Sequence, residues 1–310
     1  YKVNQQTAYG PFIAYYFSLD ANTNRYLRPL VKKGAKNDMK INNAYVLHDR
    51  IFAPSIPEQT RIASFFTVLD KKIAELKQKK NLLEQYKKGV MQKLFSQELR
   101  FKDENGNDFT DWEVREGGEL FESISNKNHN SDLPILAISQ EHGAVPREMI
   151  NYQITVTDKS VESYKVVDVG DFIISLRSFQ GGIEYSNYNG ICSPAYVILR
   201  NTAPIKKMFF KYYFKTDFYI QKLCEKLEGI RDGKMISYKY FSEIELPYPT
   251  LPEQTIIANF LSAIDDKIKQ TKTQIEKMEV WKKGLLQKMF VLYEPIQPPY
   301  SPPTFYPIQR

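Results

Sequence analysis

Cysteine and histidine are scarce in this chain: Cys192 and Cys224 are the two cysteines, and His48, His129 and His142 the three histidines. No CxxC pair and no histidine cluster with metal-ligand spacing occurs among them, which argues against both a disulfide framework and a metal site. Long apolar runs are also missing. The longest, such as GDFIISL at 170–176, fall far short of the roughly 20 residues a membrane-spanning helix needs. The sequence therefore reads as soluble and cytoplasmic, with no membrane partner. It opens YKVNQQTAYG, without an initiator Met or a signal-like segment, which points to residues missing upstream.

Catalytic signatures are absent too. GIRDGKMIS at 229–237 approximates a phosphate-binding loop, but it is one residue short between its glycines, and Met235 stands where Ser or Thr would hold magnesium. QPPY and SPPTF near the C-terminus faintly resemble the Pro-Pro-aromatic signature of adenine methyltransferases, yet no glycine-rich strand-to-helix turn for a methyl donor precedes them. No nucleophile elbow, paired acids or metal triad emerges. Catalytic and metal residues are expected to be none.

What the chain does contain is enough apolar material for real cores: 42% hydrophobic and 14% aromatic residues over 310 positions, room for about two domains. The net charge of +7 favours a polyanionic partner, although a lysine excess is also common on plain solvated surfaces.

The dominant feature is a repeat. PEQTRIASFFTVLDKKI at 57–73 returns as PEQTIIANFLSAIDDKI at 252–268, and the wider alignment of 53–96 with 248–291 is gapless with 19 of 44 positions identical. A single recurrence at such a long period indicates duplication of a whole unit rather than a solenoid. Each copy reads as helix, with proline preorganising the first turn and an acidic residue facing the positive end of the dipole. Apolar residues then recur at alternating steps of four and three: Ile62, Phe66, Leu69, Ile73, Leu76, Leu83, Val90 and Leu94, matched by Ile257, Leu261, Ile264, Ile268, Ile275, Met278, Leu285 and Met289. Such a narrow stripe, held over about five heptads, is a coiled-coil seam, and about 34 residues make each helix roughly 50 Å long. The lysines, among them Lys71, Lys72, Lys77, Lys87 and Lys88, are placed on the outer face, either as a solvated surface or as a DNA contact.

The duplication reaches upstream. FIAYYF at 12–17 resembles FFKYYF at 209–214, and GAKNDMKIN from Gly34 falls opposite GIRDGKMIS from Gly229. Residues 1–52 are therefore the C-terminal remnant of a domain whose complete version is 101–247, each followed by its long helix, 53–100 and 248–291. A proline-rich tail, 292–310, closes the chain, with six prolines in 294–310. In the complete copy, LPILAIS at 133–139, DFIISL at 171–176 and AYVILR at 195–200 have strand-like content, and 205–228 reads as helix ending at Gly229. The YYF clusters sit at helical spacing inside apolar runs and read as core. The result is an α+β domain feeding a long helix.

The richest polar signal lies in GDFIISLRSFQGGIEYSNYNGICSPAYVI at 170–198. Arg177, Ser178 and Gln180, followed by Gly181 and Gly182, suit DNA recognition: Arg forks to guanine, Gln to adenine, and glycine admits a phosphate to the backbone. The plain reading is a hairpin whose glycines supply positive φ while Arg177 faces solvent. Arg231, Lys234, Ser237 and Lys239 form a second group of candidate phosphate partners, or simply a basic loop after a helix.

A domain ending in PTLPEQTIIANFLSAIDDKI (249–268) and KKGLLQKMF (282–290), with the same ending upstream, resembles the specificity subunit of type I restriction-modification systems. The resemblance covers the chain except its tail, and GDFIISLRSFQGGI resembles a stretch common in that family's recognition domains. It implies an α+β fold in which target recognition domains are joined by two long helices paired as an antiparallel coiled coil. It implies further that double-stranded DNA is read at a bipartite site. Methyltransferase subunits would pack on the helices and endonuclease/translocase subunits join them, with S-adenosylmethionine, ATP and Mg on those partners and no cofactor here. The shortened first domain departs from the pattern, and it fits either a truncated product or a homodimer. A coiled-coil scaffold without DNA binding is the alternative.

Overall fold

The computed structural model describes residues 3–33, 39–41, 46, 51, 53–129, 132–150, 161–225 and 236–291. The chain divides into two compact units, residues 1–82 with 269–310 and residues 83–268. The short helices α1 (Gly10–Phe17) and α2 (Asp20–Leu27) and the hairpin of β1 (Val31–Lys33) with β2 (Met39–Ile41) belong to the first unit. Two long helices, α3 (Ile56–Phe95) and α9 (Leu251–Val291), each give residues to both units. Pro57 and Pro252 lie in their first turns, where a missing N–H costs no helical hydrogen bond. At 40 and 41 residues both exceed the span of about 34 residues read from the apolar stripe, and Gly89 and Gly284 lie inside them. Among the described residues no helix is long and apolar enough to cross a membrane.

In the first unit, Phe12 and Leu19 pack with Ala63, Phe66 and Leu69 of α3 and with Leu286 and Phe290 of α9. The Phe290 ring lies 5.1 Å from Phe12 and 6.1 Å from Phe66. Full burial of each such ring contributes about 1.5–3 kcal/mol. Because Phe66 meets Phe290 while Lys77 pairs with Glu279 at 2.7 Å, the two helices run antiparallel here.

The second unit is the α+β body. Its elements are β3 (Glu113–Glu116), α4 (Gly117–Leu120), β4 (Phe121–Ile124), β5 (Leu136–Ser139), β6 (Gly143–Pro146), β7 (Lys165–Val167), β8 (Phe172–Ile174), α5 (Ser178–Gly181), β9 (Glu184–Tyr185), β10 (Gly190–Cys192), β11 (Val197–Asn201), α6 (Lys207–Tyr213), α7 (Asp217–Glu225), α8 (Tyr238–Ser242) and β12 (Glu245–Tyr248). An antiparallel sheet in the order β4-β11-β8-β9 sets Leu199 opposite both Ser123 and Phe172. The pairs β5–β6, β7–β10 and β3–β12 complete the strands. Phe121, Phe172, Phe210, Phe214 and Phe241 form one aromatic core, which also takes in Val90 and Leu94 of α3 and Ile257, Leu261 and Ile264 of α9. Here too the two long helices run antiparallel, Arg100 just past α3 binding Glu253 in the first turn of α9 and Lys87 reaching Asp265 further along it.

The structure adjusts three sequence expectations. The helix expected over 205–228 is two helices, because Thr216 turns its hydroxyl back to the Tyr213 carbonyl at 2.7 Å and Asp217 opens a new first turn; the expected stop at Gly229 lies outside the described residues. The seam of α9 buries Leu286 and Phe290, while Leu285 and Met289 are only half-buried. A helix of 3.6 residues per turn drifts against a 3.5 repeat, which moves the stripe by one position. Finally, Lys87 is drawn in from the outer face to Asp265 of α9, and Lys77, though exposed, pairs with Glu279 of α9.

Candidate nucleic-acid interface

Strand β8 delivers the chain into a loop that its own polar groups hold rigid. The Ser175 N–H donates to Ser178 Oγ at 2.9 Å, the Arg177 N–H donates to Ser175 Oγ at 3.3 Å, and Ser178–Gly181 closes as one helical turn. Gly182 has φ +78°, and a Cβ there would stand 2.0 Å from the Phe214 carbonyl oxygen, so both conformation and space require glycine. A Cβ on Gly181 would meet the Gln140 side chain at 2.6 Å. Gln140, from the turn after β5, donates through Nε2 to the Arg177 carbonyl at 3.1 Å. The hairpin reading holds in part: of its two glycines only Gly182 takes positive φ, Gly181 closing the helical turn instead, and Arg177 and Gln180 stand exposed on the connection.

The base of this loop is braced by charge. Arg200 on β11 donates from Nε to Asp171 Oδ1 at 2.9 Å and from Nη2 to Asp171 Oδ2 at 2.7 Å, and it also reaches Asp168. Asp171 is buried, and the paired carboxylates raise the Arg200 pKa above its already high value. Lys215 donates to the Gly181 carbonyl at 2.8 Å and to the buried Glu184 carboxylate. Burial pushes the Glu184 carboxyl up and the Lys215 ammonium down, each opposed by its partner. Burial also pushes the Cys192 thiol up to about 12, against an opposing Lys165.

The structure separates the candidate residues by role. Arg177 lines a cavity of about 560 Å³ with Gln140, Arg147, Ser175 and Tyr196. Ser178 is buried and spends its hydroxyl within the loop, and the Gly182 N–H is taken by the Ser178 carbonyl at 2.8 Å. Ser237 caps α8, accepting from the Tyr240 N–H at 3.2 Å, and Lys239 is exposed on that helix. Neither lines the Arg177 cavity. Arg231 and Lys234 lie outside the described residues. Gln140 and Arg147 were not singled out from the sequence; an ISQ turn after a strand was the available hint for the first, and nothing local marked the second. Among the described residues no group of three or more His, Cys, Asp and Glu could hold a metal ion.

The repeated helix motif acquires a physical meaning in each unit. Gln59 is buried, accepts from the Tyr9 N–H at 2.8 Å and donates to the Pro54 carbonyl at 2.8 Å. Gln254 does the same with the Lys206 N–H and the Pro249 carbonyl, both at 2.8 Å. The motif glutamine thus ties the helix start to the helical segment that precedes it. In the first unit, Asp70 accepts from Tyr15 Oη at 2.8 Å and from Lys282 Nζ. In the second, Asp265 accepts from Tyr212 Oη at 2.8 Å and from Lys87 Nζ at 2.7 Å. Each long helix contributes one aspartate and one lysine to this arrangement, and each of these lysines binds the aspartate of the other helix.

An α+β body carried on antiparallel long helices that share one repeated latch is the class of protein this fold defines. The sequence profile of the type I restriction modification DNA specificity domain matches residues 110–280, and the chain belongs to that family. A Methanocaldococcus jannaschii protein bearing the name of the type I restriction enzyme MjaX specificity subunit is 30% identical over 271 residues, 83% of this chain and 62% of that protein. The MjaVIII specificity subunit of the same organism is 26% identical over 259 residues, 76% of this chain and 60% of that protein. The chain thus spans about three fifths of the length of these relatives. The crystal structure of the type I restriction-modification system S subunit from M. genitalium shares the fold, with a TM-score of 0.56 at 16% identity over 93% of this chain and 74% of that one.

Proposed function

We propose that this chain is the DNA-recognition part of a type I restriction-modification complex and reads one half of a bipartite duplex site through residues 101–247. The observation that carries the reading is the loop at 175–182: Arg177 and Gln180 face solvent, while Gln140, the Ser175–Ser178 bond and the glycine fit hold their backbone fixed. A rigid, exposed Arg and Gln pair is the equipment that direct base readout requires. Residues 1–52 correspond to the last part of the recognition domain at 101–247, and 53–100 and 248–291 are spacer helices on which methyltransferase subunits pack. Catalysis, S-adenosylmethionine, ATP and Mg belong to partner methyltransferase and endonuclease subunits, and the assembly works in the cytoplasm.

The test is a competition between site-bearing and random duplexes over a range of salt. Arg177→Ala is expected to relax the preference for the site while leaving random-duplex affinity and its salt slope in place; Lys239→Ala should lower affinity for both duplexes evenly and reduce the slope by about one. Equal behaviour of the two variants would refute the assignment.

A further inference from the structure

The dipeptide Asn-Gly occurs twice, at Asn105–Gly106 and Asn189–Gly190, and the fold treats the two differently. Asparagine before glycine is a labile amide, because glycine has no side chain to shield its backbone nitrogen or to restrain its approach to the asparagine carboxamide. Asn189 is held in place. Its Oδ1 accepts the Val169 N–H at 2.8 Å, and Gly190 is buried in β10, paired with Val167 of β7. A Cβ on Gly190 would stand 2.5 Å from the Pro134 carbonyl oxygen, so nitrogen and carboxamide stay apart until the strand pair opens.

Asn105 has none of these restraints. It lies with Gly106 and Asn107 on an exposed turn between α3 and β3. Asp103 Oδ1 shapes the turn by accepting the N–H of Asn105 at 2.9 Å and that of Asn107 at 2.8 Å, but the Asn105 carboxamide has no partner among the described residues. Gly106 takes φ +83°, and nothing lies within 4 Å of where its Cβ would be. Its N–H donates to the Asp103 carbonyl at 3.0 Å, a turn bond open to water. We propose that Asn105 is a site of spontaneous modification, in which the Gly106 nitrogen attacks the side-chain carbonyl carbon of Asn105. A carbon–nitrogen bond forms, the carboxamide carbon–nitrogen bond breaks, and ammonia leaves with the proton given up by Gly106. Water then opens the cyclic imide at either carbonyl, leaving aspartate or isoaspartate, with no oxidant or reductant involved. Either product lowers the formal net charge of +7 by one. Isoaspartate also carries the main chain through one more carbon, so Asp103 no longer holds both N–H groups. The ends of the loop stay pinned, because Arg100 donates to the Thr110 carbonyl at 2.7 Å and Phe101 packs on Phe260 at 5.3 Å.

The experiment holds the full chain above neutral pH, in buffer and in urea, and follows both Asn-Gly peptides over time by mass spectrometry that separates asparagine, aspartate and isoaspartate. In buffer Asn105 is expected to convert at least about 10-fold faster than Asn189, the factor by which a local opening cost of about 1.4 kcal/mol slows the held site. In urea the two rates should converge. Isoaspartate should appear beside aspartate at position 105, since direct hydrolysis of the carboxamide gives aspartate alone. Asn105→Gln, whose longer side chain closes the ring far more slowly, should abolish the early acidic shift of the native chain in isoelectric focusing. Equal native rates at the two sites, conversion of Asn105 that begins only in urea, aspartate without isoaspartate, or an early acidic shift that persists in Asn105→Gln would each overturn the proposal.

Discussion

Replacing Asp265 is the most informative perturbation of the helix pairing within residues 83–268. Its carboxylate accepts from the buried Tyr212 hydroxyl at 2.8 Å and from Lys87 at 2.7 Å, where the two ionic side chains are 36% and 24% exposed. A hydrogen bond to a charged acceptor contributes about 1.5–3 kcal/mol. The part-exposed ion pair adds no more than about 1 kcal/mol. Tyr212 keeps a second contact, to Ser262 Oγ at 3.2 Å, so its hydroxyl is not orphaned by the change. Asp265→Ala should therefore cost about 2–4 kcal/mol, dominated by the tyrosine rather than the lysine. Asp265→Asn, which still accepts but carries no charge, should cost about half as much. Exchanging Lys87 and Asp265 restores the ion pair but gives Tyr212 a lysine that cannot accept, so the exchange should recover less than about 1 kcal/mol. Urea unfolding in a Trp281→Phe background, with Trp112 as the reporter near Phe209, follows this unit. Double-mutant cycles should give a Tyr212–Asp265 coupling larger than the Lys87–Asp265 coupling. Both couplings below about 0.3 kcal/mol would mean the contacts are incidental and refute the latch.

Gly182→Ala sets a Cβ against the Phe214 carbonyl at positive φ and should destabilise the unit by more than about 2 kcal/mol, read by thermal melting; a neutral result would show that the loop adopts another backbone. Arg200→Ala strips the buried Asp171 of its partner and should cost about 3–5 kcal/mol, whereas a loss under about 1 kcal/mol would argue against the brace. The raised Glu184 carboxyl makes the folded state favour the protonated form, so its contribution is present below pH 4.5 and is lost as pH rises through the higher folded value. Glu184→Gln should flatten the fall in thermal midpoint over that window, and an unchanged profile would contradict the assignment. Burial of Cys192 predicts that a thiol reagent at pH 8 labels Cys224 alone in the native protein and both cysteines in denaturant; rapid native labelling of Cys192 would show that β10 opens.

The helices were the most legible part of the sequence because their information is local and periodic. Pro57 and Pro252, the heptad steps and the identity of the two copies announced them directly, and the strands at β5, β8 and β11 were visible as short apolar runs. The purpose of the shared glutamine and aspartate was not legible, since Gln59 and Gln254 act on backbone groups of preceding segments and Asp70 and Asp265 act across to the other helix. Lysine shows the same limit: a run of basic residues looks like one solvated face until pairing divides Lys77 and Lys87 from their neighbours. The break at Thr216 escaped because Phe214 continues the apolar pattern straight through it. In the candidate interface, Arg177 and Gln180 stood out beside two glycines, but Gln140, which reaches the Arg177 carbonyl from a turn 37 residues away, became notable only in the fold. Ser178 illustrates the reverse, a polar residue whose hydroxyl is consumed by the loop it stabilises.

Mapping of methylated bases in cells that carry the complete restriction-modification system, with either the wild-type chain or Arg177→Ala, tests the central claim most directly. DNA recognition by residues 101–247 predicts that the wild-type chain yields a two-part modified sequence and that the variant loses base preference in one part while the other part and the interval between them persist. A modified sequence identical in both strains, or modification that vanishes evenly at every site, would contradict it.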